Sequence, residues 1–185
     1  MADCDGIEAV SLQLYIRDDT GEAPVWIVGF DPETDFVIRP WIVGNREASL
    51  PDGAVWAGCK VNANADGCVT LFGQSWPTAA RLDETGSGMD QAVFVNLSTL
   101  SDMIEASGVA KYAGIHPDTD YSAALIRIKS NADIDSVTHW LNTYRMQCRR
   151  SIRAHRFHAG QRGLHELRHL QGADTGVPGE GHVQV

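Results

Sequence analysis

Five short apolar runs between residues 9 and 73, each closed by turn-forming residues, commit the first part of this chain to β-structure. Residues 9–17 (AVSLQLYIR) alternate, with Val10, Leu12, Leu14 and Ile16 sharing one face, which is the pattern of a half-buried strand. VWIVGF at 25–30 is apolar at nearly every position and predicts a strand covered on both faces. FVIRPWIVG at 36–44 predicts another, placed at a sheet edge or interrupted because Pro40 has no N–H to donate. AVWAGCKVN (54–62) and CVTLFG (68–73) follow, with Asp66-Gly67 as a hairpin signal between them. Short turns between successive strands predict an antiparallel meander of about five strands.

The second half changes period. Residues 74–90 read as a loop with one helical turn at 78–83, and AVFVNL (92–97) as a strand. A helix is expected from Ser98 or Thr99 to Ser107, with Leu100, Met103 and Ile104 inward and Gly108 ending it. SAALIRIK (122–129) predicts a strand. A long helix then starts at Asn131 or Asp133 and carries Val137, Trp140, Leu141, Tyr144, Cys148 and Ile152 as its apolar stripe to an end near Gly160. The expected class is therefore α+β: the meander, then β-α-β-α, in a single domain over residues 1–172 with a flexible tail at 173–185.

At 43% hydrophobic and 21% charged, the chain has the composition of a soluble globular protein. No apolar run approaches the roughly 18 residues that span a bilayer. The first residues, MADCDGIEAV, lack the basic and apolar regions of a signal peptide, so a cytoplasmic protein without a membrane partner is expected. Cys4, Cys59, Cys68 and Cys148 form no CxxC pair and read as free thiols, with Cys59 and Cys148 expected to be buried.

The net charge of −9 is unevenly distributed. Residues 1–144 hold 21 acids and 8 bases, whereas residues 145–185 hold 7 bases and 3 acids. Arg145, Arg149, Arg153 and Arg156 recur at helical spacing, with Arg150 beside them. Guanidinium groups pair bidentately with carboxylates and phosphates, so this stripe predicts contact with an anionic partner, either nucleic acid or an acidic protein surface, or with another subunit.

Three short patterns suggest chemistry instead. His165-Glu166-Leu167-Arg168-His169 matches H-E-x-x-H, in which His165 and His169 would share a zinc ion and Glu166 would activate its water. HELRHLQG resembles the third motif of peptide deformylases, HExDHLxG, with Arg168 where that family has Asp. Deformylases take a third ligand from a cysteine in an EGCLS-like motif, which Asp66-Gly67-Cys68-Val69-Thr70 echoes. The third-ligand position of metzincins falls on Thr175. Residues 69–77 (VTLFGQSWP) resemble the nucleophile elbow of type-B carboxylesterases, with Pro77 in place of the last glycine. That resemblance implies Ser75 as a nucleophile, served by a histidine such as His116 or His139. Finally, His155 with His158, and His165 with His169, are spaced to bind a transition metal from a helix.

The preferred reading is a non-enzymatic interaction or assembly protein that needs no cofactor and works through Arg145, Arg149, Arg150, Arg153 and Arg156. A zinc-dependent hydrolase using His165, Glu166 and His169 ranks second, and a serine hydrolase at Ser75 third.

Overall fold

The computed structural model describes residues 6–21, 23–151 and 182–184, with backbone alone for 144–151 and 182–184. The chain divides into two compact units, the larger spanning residues 11–123 and the smaller combining the first ten residues with 124–185.

In the larger unit six strands follow the order β4-β5-β3-β6-β2-β1. They are β1 (Ile7–Asp18, entering this unit at Ser11), β2 (Val25–Phe30), β3 (Val55–Ala57), β4 (Cys68–Leu71), β5 (Gln74–Arg81) and β6 (Ala92–Asn96). The sheet is mixed, which overturns the expected antiparallel meander. β2 runs parallel to β6, pairing Trp26 with Ala92 and Phe30 with Asn96, and β3 runs parallel to β5. β1–β2, β3–β6 and β4–β5 are antiparallel. Among the described residues of this unit, sequential strands pair only at the β1–β2 and β4–β5 hairpins. Elsewhere the partner comes from distant sequence, which short turns cannot announce.

The central strands are apolar throughout because both faces of the sheet are covered. On one face Leu14, Ile16, Ile27, Val55, Ala57, Val93 and Val95 pack with Leu100 and Met103 of α1 (Leu97–Ser107) and with Tyr112. On the other, Val28, Phe30, Trp56 and Phe94 pack under Ile38, Ile42 and Leu50 from the long β2–β3 connection. Gly29 faces α1, where a Cβ would run into the Leu100 side chain, so glycine lets the helix lie close to the strand. Asn96 caps α1 by accepting from Thr99 N–H at 2.8 Å, two residues ahead of the expected start, and Gly108 closes the helix at φ 60°.

Residues 36–44 do not form the expected strand. The Asp35 carboxylate accepts from the backbone N–H groups of Val37, Ile38 and Arg39, which bends the chain into a 3₁₀ turn at Arg39–Trp41. Pro40 suits that turn for the reason it fails in a ladder, since it has no N–H to satisfy. Arg39 then ties the connection down. Its guanidinium donates to the carbonyls of Pro32 and Arg46 and lies over the Trp56 ring at 5.5 Å. Residues 74–81, expected as loop, form β5. Asp66-Gly67 makes a local turn closed by Asn64 rather than a hairpin joining 54–62 to 68–73.

In the smaller unit β7 (Ala123–Ile128) pairs antiparallel with β8 (His182–Gln184) and supports α2 (Ile134–Ser151). Ile126, Val137 and Leu141 form its buried centre, flanked by Ile7, Val10, Ile128, Ala132 and Trp140. α2 and α1 are the two α-helices among the described residues.

Candidate interaction helix

α2 begins where the sequence allows it to. Asp133 accepts from the N–H of Ser136 at 3.2 Å and also contacts the Ser136 hydroxyl. The Ser136 hydroxyl, then the amides of Ser136 and Asp135, hold the Asp133 carboxyl below its ordinary range against the opposing effect of desolvation. Val137 N–H donates to the Asp133 carbonyl at 3.1 Å, the first turn of the helix. Val137 and Leu141 are buried against Ile126. The fit at Val137 is close enough that a Cβ on Gly6 would collide with it.

The face turned away from Val137 and Leu141 is polar. Asp135, His139, Asn142 and Thr143 are exposed, and a shallow groove is lined by Asp135, Ser136, His139, Trp140 and Thr143. Trp140, expected in the apolar stripe, is half-buried and forms one wall of that groove. Past Leu141 the helix continues ten residues to Ser151 and carries Arg145, Arg149 and Arg150. At 1.5 Å per residue that extension is about 15 Å long. Acids and bases are therefore segregated along α2, with Asp133 and Asp135 at its start and the arginines at its end.

The remaining expected site residues fall in two groups. Arg153, Arg156, His155, His158, His165, Glu166 and His169 lie outside the described residues. Ser75 is described, and its setting is not a nucleophile elbow. β4 and β5 form a two-residue hairpin through Phe72 (φ 50°) and Gly73 (φ 76°), so Ser75 sits exposed on β5 opposite Thr70. The strand-to-helix turn that would lift a serine for attack is absent, because strand follows strand. His116 is exposed in a turn where its N–H donates to Asp120, and His139 lines the α2 groove. Among the described residues no group of three or more His, Cys, Asp or Glu side chains is placed to hold a metal ion. Among the same residues no helix is long and apolar enough to cross a membrane.

A polar cluster that the sequence did not advertise holds the 58–61 turn to residues 85–91. The Asp90 carboxylate is almost wholly buried and accepts from Thr85 N–H (2.8 Å), Thr85 Oγ1 (2.6 Å) and Lys60 Nζ (3.0 Å). Burial alone would raise the Asp90 pKa, but the Thr85 hydroxyl and amide, followed by the Lys60 ammonium, bring it down to about 2. Lys60 also pairs with Glu84, and its own pKa is raised mainly by the Asp90 and Glu84 hydrogen bonds. Arg81 Nη2 donates to the carbonyls of Gly58, Cys59 and Val61. Cys59, expected to be buried, is partly exposed. Its thiol pKa is pushed up by desolvation and then by the neighbouring Asp90 carboxylate, which makes it a poor nucleophile. Arg81 binds the backbone carbonyls of the 58–61 turn and Asp90 binds both the Thr85 backbone and the Lys60 side chain of that turn, so the cluster's role is structural. The sequence signal was weak, being only the turn-rich Thr85-Gly86-Ser87-Gly88 ahead of an acid.

Comparison with models of known protein families and with curated protein sequences gave no match.

Proposed function

We propose that this chain is a non-enzymatic interaction or assembly protein that contacts an anionic surface through the C-terminal part of α2. The observation that carries the reading is the continuation of α2 to Ser151, which puts Arg145, Arg149 and Arg150 on one helix whose start is acidic at Asp133 and Asp135. A helix that bears Arg145, Arg149 and Arg150 without an acid from 136 to 151 is suited to docking on an anionic surface. Charge balance supports the same reading, since the 21 acids of residues 1–144 leave the basic segment as the region that attracts anions.

The test is elution of the full chain and of Arg149→Ala/Arg150→Ala from a heparin column across a salt gradient. The double variant is expected to elute at lower salt, with the salt dependence of binding flattened by about one to two units. Equal elution of the two proteins would overturn the proposal.

A further inference from the structure

We infer that the anionic surface met by α2 is the start of α2 in a second copy of this chain, the two helices lying antiparallel about a twofold axis near Asn142. This rests on the reading of α2 as the contact helix and names its partner.

Three observations lead there. First, α2 is self-complementary end to end. It carries Asp133 and Asp135 at its start and Arg145, Arg149 and Arg150 at its end, with no Lys or Arg from 130 to 144. In an isologous pair, residue i meets residue j and j meets i. With the axis at Asn142, Asp135 of each copy is level with Arg149 of the other, and that match occurs twice. A parallel pair would set Asp135 against Asp135 and Arg149 against Arg149. Antiparallel packing also opposes the two helix dipoles.

Second, the two charges share one stripe of the helix. Positions 135, 139, 142, 146 and 149 follow one another at steps of four, three, four and three, which keeps Asp135 and Arg149 on one face. The row from Asp135 to Arg149 is about 21 Å long at 1.5 Å per residue. Third, the described part of that row is open. Asp135, His139 and Asn142 are exposed on the side away from Val137 and Leu141. Beside them the groove formed with Ser136, Trp140 and Thr143 offers the apolar flank of an indole to an incoming side chain. Polyanionic nucleic acid is the poorer occupant, because the same row presents Asp135 and the 1–144 region carries 13 more acids than bases.

The experiment is sedimentation of the full-length chain across a concentration series at low and high salt. The proteins compared are wild type, Asp135→Arg, Arg149→Asp and the double swap Asp135→Arg/Arg149→Asp. Far-UV circular dichroism checks each fold, and Asp135→Asn provides a milder variant that removes the charge without reversing it. Wild type should self-associate, less at high salt. Each single swap should weaken association by about tenfold or more, since symmetry applies it twice, and the double swap should restore it. A double swap no better than the singles would overturn the inference. So would a wild type that stays monomeric while Arg149→Asp loses heparin retention, and that outcome leaves the anionic-surface reading standing. Monomers throughout, with heparin retention unchanged, would overturn both.

Discussion

Replacing Asp90 with Asn keeps the shape of the side chain and removes its charge, so the variant isolates what the buried carboxylate contributes. Asp90 is 1% exposed and accepts from the Thr85 amide, the Thr85 hydroxyl and Lys60. The Lys60 contribution is small, because that side chain is half exposed and has Glu84 as a second partner. Most of the effect therefore comes from the two Thr85 donors. Their preference for the ionised form is what takes Asp90 from the ordinary 3.8 to about 2. At about 1.4 kcal/mol per unit, that shift corresponds to about 2 kcal/mol of folding stability at neutral pH. The folded pKa is depressed, so this stability is present above the unfolded value and is lost as pH falls through the folded one. It should decline to about 1 kcal/mol near pH 3, halfway through that window. Urea unfolding of wild type and Asp90→Asn at neutral pH and near pH 3 measures both figures. A difference below about 0.5 kcal/mol at neutral pH, or one that does not narrow on acidification, would refute the assigned role of the carboxylate.

Two further substitutions probe the larger unit. Leu14→Ala, at a buried β1 position, should cost about 2–5 kcal/mol in denaturant melts, and a loss of a few tenths would mean that the site is not core. Gly58→Ala would push a Cβ into the carbonyls of Met89 and Asp90, which are backbone atoms that cannot rotate away. A loss of at least about 2 kcal/mol is expected, and a near-neutral result in the same melts would contradict the close approach.

The local parts of this fold were legible in the sequence. Alternation located β1, and the continuous apolar runs located β2 and β6 because those strands are buried on both faces. Gly108 and Asp133 marked helix limits through their own chemistry. The strand pairing was not legible, because the parallel β2–β6 and β3–β5 pairs depend on which distant segment arrives beside which. The two misread segments have specific causes. Asp35 captures three successive backbone amides and turns residues 36–44 away from a strand. In β5, Gln74, Ser75, Pro77, Thr78, Ala79 and Ala80 look like loop residues, yet neighbouring strands supply the order they lack by themselves. At the candidate site the arginines stood out, whereas the acidic start of α2 did not. Val137 and Leu141, expected in the apolar stripe, are buried, and Asp135 and His139 lie exposed on the opposite side of the helix.

The parallel pairing of β2 with β6 also bears on how the chain reaches its fold. Trp26 and Ala92 are ladder partners separated by 66 positions, so synthesis completes β2 long before its central neighbour exists. Until then β2 can pair only with β1, and an isolated two-stranded hairpin is marginal in water. The open side of β2, Ile27 and Phe30 included, must wait unpaired while the intervening chain emerges. Closing that long loop costs entropy before any contact repays it, which places this unit among the slow folders. The exposed β2 edge is, over that interval, the segment of the nascent chain most open to pairing with another molecule.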